Sequence, residues 1–175
     1  MAVDGIQRLM KKFNELGSMD PIVAQTVKKQ AEKIRGLAVK LCPVNHGELR
    51  GSIHTKIEQN ADATIGCVYT NSEYAMYVEF GTGPAGEKNH TGISPNVPVV
   101  YQQEGWWFAG DEVDDSDAEK YHWLQRSNGE KTFYYTDGQP AQPFMYPALK
   151  SIEKYVVSAL ATDLQASIRK VSDST

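Results

Sequence analysis

Apolar side chains recur every three or four residues in three stretches of the chain, which is the spacing of an amphipathic helix. We predict helices over residues 4–16, 21–41 and 147–171. The second begins after residues that can cap a helix and ends before Pro43, because the residue preceding proline avoids the α region. The apolar positions of the two long helices are Val27, Ala31, Ile34, Ala38 and Leu41, and Leu149, Ile152, Val156, Leu160, Leu164, Ile168 and Val171.

Residues 49–59 and 63–70 alternate between apolar and polar positions, the period of a strand with one buried face. Turn-forming residues 60–62 separate them, so we predict an antiparallel hairpin. Residues 72–80 are predicted to form one or two helical turns that end at Gly81. The residues expected to share a strand face are Ile53, Thr55 and Ile57 in the first strand and Ile65, Cys67 and Tyr69 in the second.

Residues 83–138 differ in character from the rest of the chain. Residues 83–98 are rich in Gly, Pro, Asn and Ser, which favours a long loop, and residues 111–119 carry six acids and no base, which favours a mobile solvated loop. The two hairpins predicted in this region pair residues 97–102 with 106–109, and 121–126 with 131–136.

The pattern as a whole predicts an α+β fold, in which a small antiparallel sheet packs against two long helices. We expect residues 1–175 to form a single domain, since that length is typical of one. Residues 84–137 are then a hairpin-rich insertion that we expect to serve in assembly, because long loops in compact domains are usually functional or disordered.

The stretch Tyr74–Gly83 places one carboxylate, Glu79, among five large apolar or aromatic side chains. Burial of that carboxylate is costly unless a cation or a set of hydrogen-bond donors meets it. Arg50 begins a predicted strand in the upstream block 43–53. We therefore predict a buried ion pair between Arg50 and Glu79, formed directly or through one water.

Bulk composition is that of an ordinary globular protein, with 41% apolar and 23% charged residues. A net charge of −4 gives no sign of the clustered cations that sequence-independent nucleic-acid binding requires. Cys42 and Cys67 have apolar neighbours, and we interpret them as buried thiols of a reducing compartment, with a disulfide left open. We expect neither a secretory signal nor a membrane span, since no suitable apolar run occurs.

Motifs of catalytic or metal sites are missing from the sequence: it has no phosphate-binding glycine loop, nucleophile elbow or zinc-type cysteine spacing. His46, Glu48 and His54 are close in sequence, but we expect His54 on a strand, facing away from Ile53. We predict no catalytic site, no metal site and no cofactor. The alternative is a metal-dependent hydrolase or nuclease that uses His46, Glu48 and the acidic run.

Aromatic residues are concentrated in the insertion, which holds all three tryptophans. They can form the core of a small sheet, or an exposed docking surface in which aromatic side chains anchor a partner. The candidate interface residues are Trp106, Trp107, Trp123 and Tyr134.

Three blocks of the sequence resemble a known family, the neck and tail-completion proteins of tailed bacteriophages, also described as head–tail joining, morphogenesis or minor tail proteins. Residues 43–53 resemble its "P-V-x-T-G-x-L-R-x-S-I" signature, although His46 stands where threonine is usual. Residues 74–82 resemble "Y-A-x-x-V-E-x-G-T", and residues 143–149 resemble "P-F-x-x-P-A-L". The resemblance covers about residues 20–83 and 138–171. Beside Arg50 and Glu79, the matching positions include Gly47, Gly81, Thr82, Pro143, Phe144 and Pro147.

The resemblance implies a structural virion protein without catalytic activity, located between the DNA-filled head and the tail tube after assembly in the host cytoplasm. The implied partners are further copies of the chain in a ring, with a hexamer as one candidate, head-completion or connector proteins, and tail-terminator or tail-tube proteins. DNA would pass through the ring without sequence-specific binding, and an acidic wall would keep it from adhering. A non-viral interaction module that uses the aromatic hairpins stays open as an alternative.

Overall fold

The computed structural model describes residues 19–44, 47–60, 63–111, 113 and 115–173. The chain divides into two compact units. Met1–Ser72 and Pro147–Thr175 form one, called the terminal unit below, and Glu73–Tyr146 form the other, called the central unit. The predicted helix 4–16 lies outside the described residues. The α+β class is confirmed, and the organisation of the chain as one domain stays a prediction.

The terminal unit is built on two long helices, as the apolar spacing predicted. Helix α1 spans Met19–Leu41 and helix α6 spans Met145–Asp173, the latter entering this unit at Pro147. The hydroxyl of Thr26 on α1 donates a hydrogen bond to the Asp163 carboxylate on α6 at 2.9 Å. The remaining elements are the short helix α2 (Glu48–Gly51) and the strands β1 (Ile53–Gln59) and β2 (Thr64–Thr70).

Strands β1 and β2 form the predicted antiparallel hairpin, with Ile53 opposite Thr70 and Ile57 opposite Gly66. Helix α1 packs against both strands. It approaches closely at Gly66, where an added Cβ would lie 2.8 Å from a methyl group of Val27. The predicted start of the first strand was wrong, because residues 49–51 belong to α2.

The face of the hairpin away from α1 carries Ile65, Cys67 and Tyr69. These residues share a face as predicted, but the register places them beside His54, Lys56 and Glu58 rather than beside Ile53 and Ile57. Ile65 and Tyr69 are therefore exposed. Alternation identifies which residues lie together, whereas the packing of α1 decides which face is buried.

The central unit contains a three-stranded antiparallel sheet with the strand order β3-β5-β4. The second predicted hairpin is confirmed by β4 and β5, but the first was wrong: residues 97–102 form no strand, and β3 pairs with β5 instead. Pro98 offers no N–H group to a ladder, which disfavours a strand there. The strands are β3 (Trp106–Ala109), β4 (Leu124–Ser127) and β5 (Thr132–Thr136).

Three short helices complete the central unit. Helix α3 (Ala75–Phe80) is the predicted turn of helix before Gly81. Helix α4 (Gly83–Lys88) replaces part of the predicted loop and has proline in its first turn, a position where the ring preorganises φ. Helix α5 (Asp115–Lys120) replaces part of the predicted acidic loop, and its last-turn lysine is favourable at the negative end of the helix dipole.

Candidate functional site

Glu79 is buried, with 6% of its surface exposed, and its carboxylate accepts three backbone hydrogen bonds at the start of helix α6. Oε2 accepts from the Phe144 N–H at 2.7 Å and from the Met145 N–H at 2.9 Å, and Oε1 accepts from the Tyr146 N–H at 2.9 Å. The buried carboxylate is thus met by a set of hydrogen-bond donors. These donors offset the cost of removing its charge from water, as a cation would also do.

These three bonds complete the N-terminus of the helix. The first four N–H groups of an α-helix have no partner within the helix. With Phe144 in the capping position, they belong to residues 144–147, and the fourth residue is Pro147, which has no N–H. The spacing Pro-Phe-x-x-Pro therefore suits one remote carboxylate. A negative charge at this end is also favoured by the helix dipole.

A second set of backbone bonds joins the same two segments. Thr82 and Gln139 form a bridge in which each N–H donates to the other's carbonyl, at 2.9 and 3.2 Å. Gln142 N–H donates to the Val78 carbonyl at 2.8 Å. Gly81 has φ +76°, and an added Cβ would lie 2.7 Å from the Ala141 nitrogen. The glycine of this block is therefore required both by its φ and by the close approach of residues 139–141.

The first motif block closes the turn between α1 and β1. Arg50 donates from Nε to the Cys42 carbonyl at 2.9 Å, at the end of α1, where the helix dipole favours a cation. Gly47 precedes α2 with φ +87°, in the left-handed region. Asn45 and His46 lie outside the described residues. The guanidinium has further N–H donors, so the predicted ion pair with Glu79 stays a prediction.

An apolar groove of about 510 Å³ opens in the central unit between α3, the start of α4 and residues 99–102. Tyr101 fixes one wall, since its hydroxyl donates to the Phe80 carbonyl at 2.9 Å. Burial raises the pKa of the Tyr101 hydroxyl, and the charge of Glu87 adds to that rise. Val100 is 96% exposed and Met76 63% exposed at the groove. No charged side chain lines it among the described residues.

The two neighbouring tryptophans lie on opposite faces of the sheet, because consecutive strand residues point to opposite sides. On the inner face, Trp123 meets Phe108 edge-on at 4.9 Å and Tyr134 is 3% exposed. Trp106 shares the inner side and lines the groove. The outer aromatic face is defined by Trp107, Leu124, Phe133 and Tyr135.

This outer aromatic face is partly open to solvent. Trp107 is 46% exposed, and its ring lies 5.4 Å from that of Tyr135. The guanidinium of Arg126 lies over the same indole, at 5.4 Å from the ring centroid. Leu124 is exposed on β4, the edge strand on the other side of β5. Of the four candidate interface residues, Trp107 is thus exposed, Trp106 and Trp123 are half-buried, and Tyr134 is buried.

Metal ligands do not converge within the described part of the chain, where no three His, Cys, Asp or Glu side chains could hold an ion together. His46, one of the residues considered for such a site, is not among the described residues. None of the described helices is both long enough and apolar enough to cross a membrane.

Sequence reasoning placed Glu79 in a costly environment and allowed for donors, but it did not identify those donors. The signal was present in the Pro-Phe-x-x-Pro spacing, which leaves three N–H groups at the start of a helix and no fourth. The apolar groove had no such signal, since its walls come from segments about twenty residues apart.

Comparison with known families gives a match that covers the N-terminal part of the chain. Residues 7–81 match a protein-family model, HK97-gp10_like, with the description "Bacteriophage HK97-gp10, putative tail-component". That range includes the first motif block and, except for Thr82, the second, with Arg50, Glu79 and Gly81, so the resemblance to a tail-component family of tailed phages is confirmed there. No curated protein and no solved structure gives a match.

Proposed function

We propose that this protein is a structural, non-enzymatic component of a tailed-bacteriophage virion, and that it forms a ring at the head–tail junction as a neck or tail-completion protein. The match of residues 7–81 to a phage tail-component family carries the proposal. The third motif block supports it, because that block follows in the expected order and its backbone is bound by the carboxylate of the second.

The hydrogen bonds made by the charged motif residues favour a structural role. Glu79 is occupied by three N–H groups and is buried, and Nε of Arg50 is occupied by the Cys42 carbonyl. A catalytic acid or base must come within hydrogen-bond reach of its substrate. Side chains that cap helices instead hold the backbone in one arrangement, which is what a subunit of a rigid assembly needs.

The outer aromatic face and the apolar groove are the surfaces that we propose for contact with other virion proteins. Exposed aromatic and methionine side chains are common anchors of protein interfaces. Both surfaces lie in the central unit, which contains residues 84–137. The proposed partners are a head-completion or connector protein on one side, and a tail-terminator or tail-tube protein on the other.

Within the virion, the ring, with a hexamer as one candidate, would surround a channel through which DNA passes without sequence-specific binding. Assembly would take place in the host cytoplasm and would need no cofactor. A conduit of this kind benefits from net negative charge, because phosphate groups are repelled from its wall. The chain carries a net charge of −4.

Disruption of the gene in the phage that encodes this protein tests the proposal. We expect cells infected by the mutant to accumulate DNA-filled heads and separate tails, visible by electron microscopy, and to release few infectious particles. A plasmid copy of the gene should restore joining. Infectious particles at the normal titre without the protein would contradict the proposed function.

A further inference from the structure

The two units of the chain carry opposite net charges, which the overall value of −4 conceals. The terminal unit has 14 Lys and Arg against 10 Asp and Glu, a net charge of +4. The central unit has 4 Lys and Arg against 12 Asp and Glu, a net charge of −8. Such segregation gives one molecule a basic and an acidic part.

Part of the positive charge forms a stripe on helix α1. Lys29, Lys33 and Lys40 are spaced by four and seven residues, so they lie on one face, and all three are exposed. Within the described part of the terminal unit, no carboxylate lies within ion-pair distance of these three ammonium groups. Arg35, on another side of the helix, is paired with Glu32 at 2.9 Å. The stripe, called the lysine face below, is therefore unpartnered within its own unit.

Most of the described carboxylates of the central unit lie at its surface. Asp111 and Glu119 are exposed, and Asp117 is half-buried on helix α5. A hydrogen bond to Asp137 raises the pKa of the Tyr135 hydroxyl, with smaller contributions from burial and from the charges of Asp137 and Glu104. The cation Arg126 lies over the aromatic ring of Trp107.

We propose that the lysine face of α1 docks onto the acidic surface of the central unit in a second copy of this chain, so that identical subunits assemble head to tail. This inference rests on the proposed function, which requires a ring. A contact between two different surfaces of the same molecule is heterologous, and repetition of it closes a ring when the rotation fits. A two-fold contact through either surface alone would oppose like charges.

Nucleic acid is the other polyanion that a lysine face could bind. The central unit favours a second copy over DNA, because its net charge of −8 repels phosphate while it attracts the lysine face. The distinction can be measured, since only a contact between copies is rescued by reversing the charges of the partner surface.

The test uses two charge-reversed variants of the full chain. One carries Lys29→Glu, Lys33→Glu and Lys40→Glu, and the other carries Asp111→Lys, Asp117→Lys and Glu119→Lys. We expect sedimentation velocity at low salt to show self-association weakened at least ~100-fold in each variant, since like charges then face each other. A control with Lys154→Glu and Arg169→Glu, which reverses two exposed cations on α6, should assemble as the wild type does.

A mixture of the two variants tests whether the two surfaces contact each other. An equimolar mixture of the two variants should assemble, because each reversed surface meets its complement on the other variant, and one chain carrying all six changes should assemble alone. Circular dichroism establishes that each variant is folded. A wild type that stays monomeric at low salt, a variant that assembles normally, or a mixture that fails to assemble would each overturn the inference.

Binding of a 20-base-pair DNA duplex is measured in parallel by fluorescence anisotropy. If the lysine variant assembles normally but loses DNA binding, the lysine face is a nucleic-acid surface and the proposed contact is wrong. These results are independent of the gene disruption: an infectious mutant phage would refute the head–tail role, whereas failed mixing would refute only this contact.

Discussion

Oε2 of Glu79 lies 2.7 Å from the backbone nitrogen of Phe144, 65 residues further along the chain. This bond and its two neighbours fasten the second motif block to the third and cap helix α6. Two blocks far apart in sequence are thereby one structural unit, in which a side chain from one satisfies the backbone of the other.

Replacement of Glu79 by alanine should destabilise the protein by ~3–5 kcal/mol, because three N–H groups at the start of α6 lose their acceptor and buried donors without one are costly. Glu79→Gln should fall between the wild type and Glu79→Ala, since one amide oxygen can still accept two of the bonds. Urea unfolding followed by circular dichroism measures the difference. The matched control is Glu73→Ala, an exposed position in the same unit that should change stability by less than ~0.5 kcal/mol. Equal urea midpoints of unfolding for Glu79→Ala and Glu73→Ala would show that the cap contributes nothing to stability.

The ion pair between Arg50 and Glu79 is tested by a double-mutant cycle with Arg50→Ala and Glu79→Ala. Arg50→Ala alone removes the bond to the Cys42 carbonyl, which should cost ~1–2 kcal/mol. If the pair forms as well, the two changes should be coupled by at least ~1 kcal/mol, as residues in direct contact are. If the loss of unfolding free energy in the double variant equals the sum of the two single losses within ~0.5 kcal/mol, the pair is refuted. Each residue would then act only on its own helix end.

Glu32 should make the stability of the terminal unit depend on acid pH. The Thr55 hydroxyl donates to its carboxylate and, with Arg35, holds the pKa of Glu32 below the usual value of 4.5. A carboxyl whose pKa is lower in the folded state stabilises the protein above the unfolded pKa and loses that effect as pH falls through the folded pKa. Glu32→Gln should therefore melt below the wild type at neutral pH and approach it in acid. In a Thr55→Val background, Glu32→Gln should lower the melting temperature by less than it does in the wild type. A difference in melting temperature between Glu32→Gln and the wild type that stays constant down to acid pH would contradict this assignment.

Trp107→Ala and Trp106→Ala should behave differently, because the two rings lie on opposite faces of the sheet. Trp107→Ala should keep the melting temperature within a few degrees of the wild type, yet impair head–tail joining when it complements the gene disruption. Trp106→Ala should lower the melting temperature, since its ring lies against the turn at Gly83 and lines the groove. A Trp107→Ala variant that joins heads to tails normally would remove the outer aromatic face from the interface.

The sequence alone determined the long helices, the β1–β2 and β4–β5 hairpins and the helical turn before Gly81. Each of these depends on local spacing, capping or turn residues, which act over a few positions and are visible in any window of the chain. The family resemblance is local in the same sense, since its blocks are short runs.

Only the tertiary structure decided which groups meet. Residues 97–102 and Trp106–Ala109 are neighbours in sequence, yet the strand partner of β3 is β5, more than twenty residues away. The donors that satisfy Glu79 lie 65 to 67 residues away. Pairing partners and remote caps depend on the total free energy of packing rather than on local pattern, and a buried carboxylate shows in sequence that it needs partners without showing which they are.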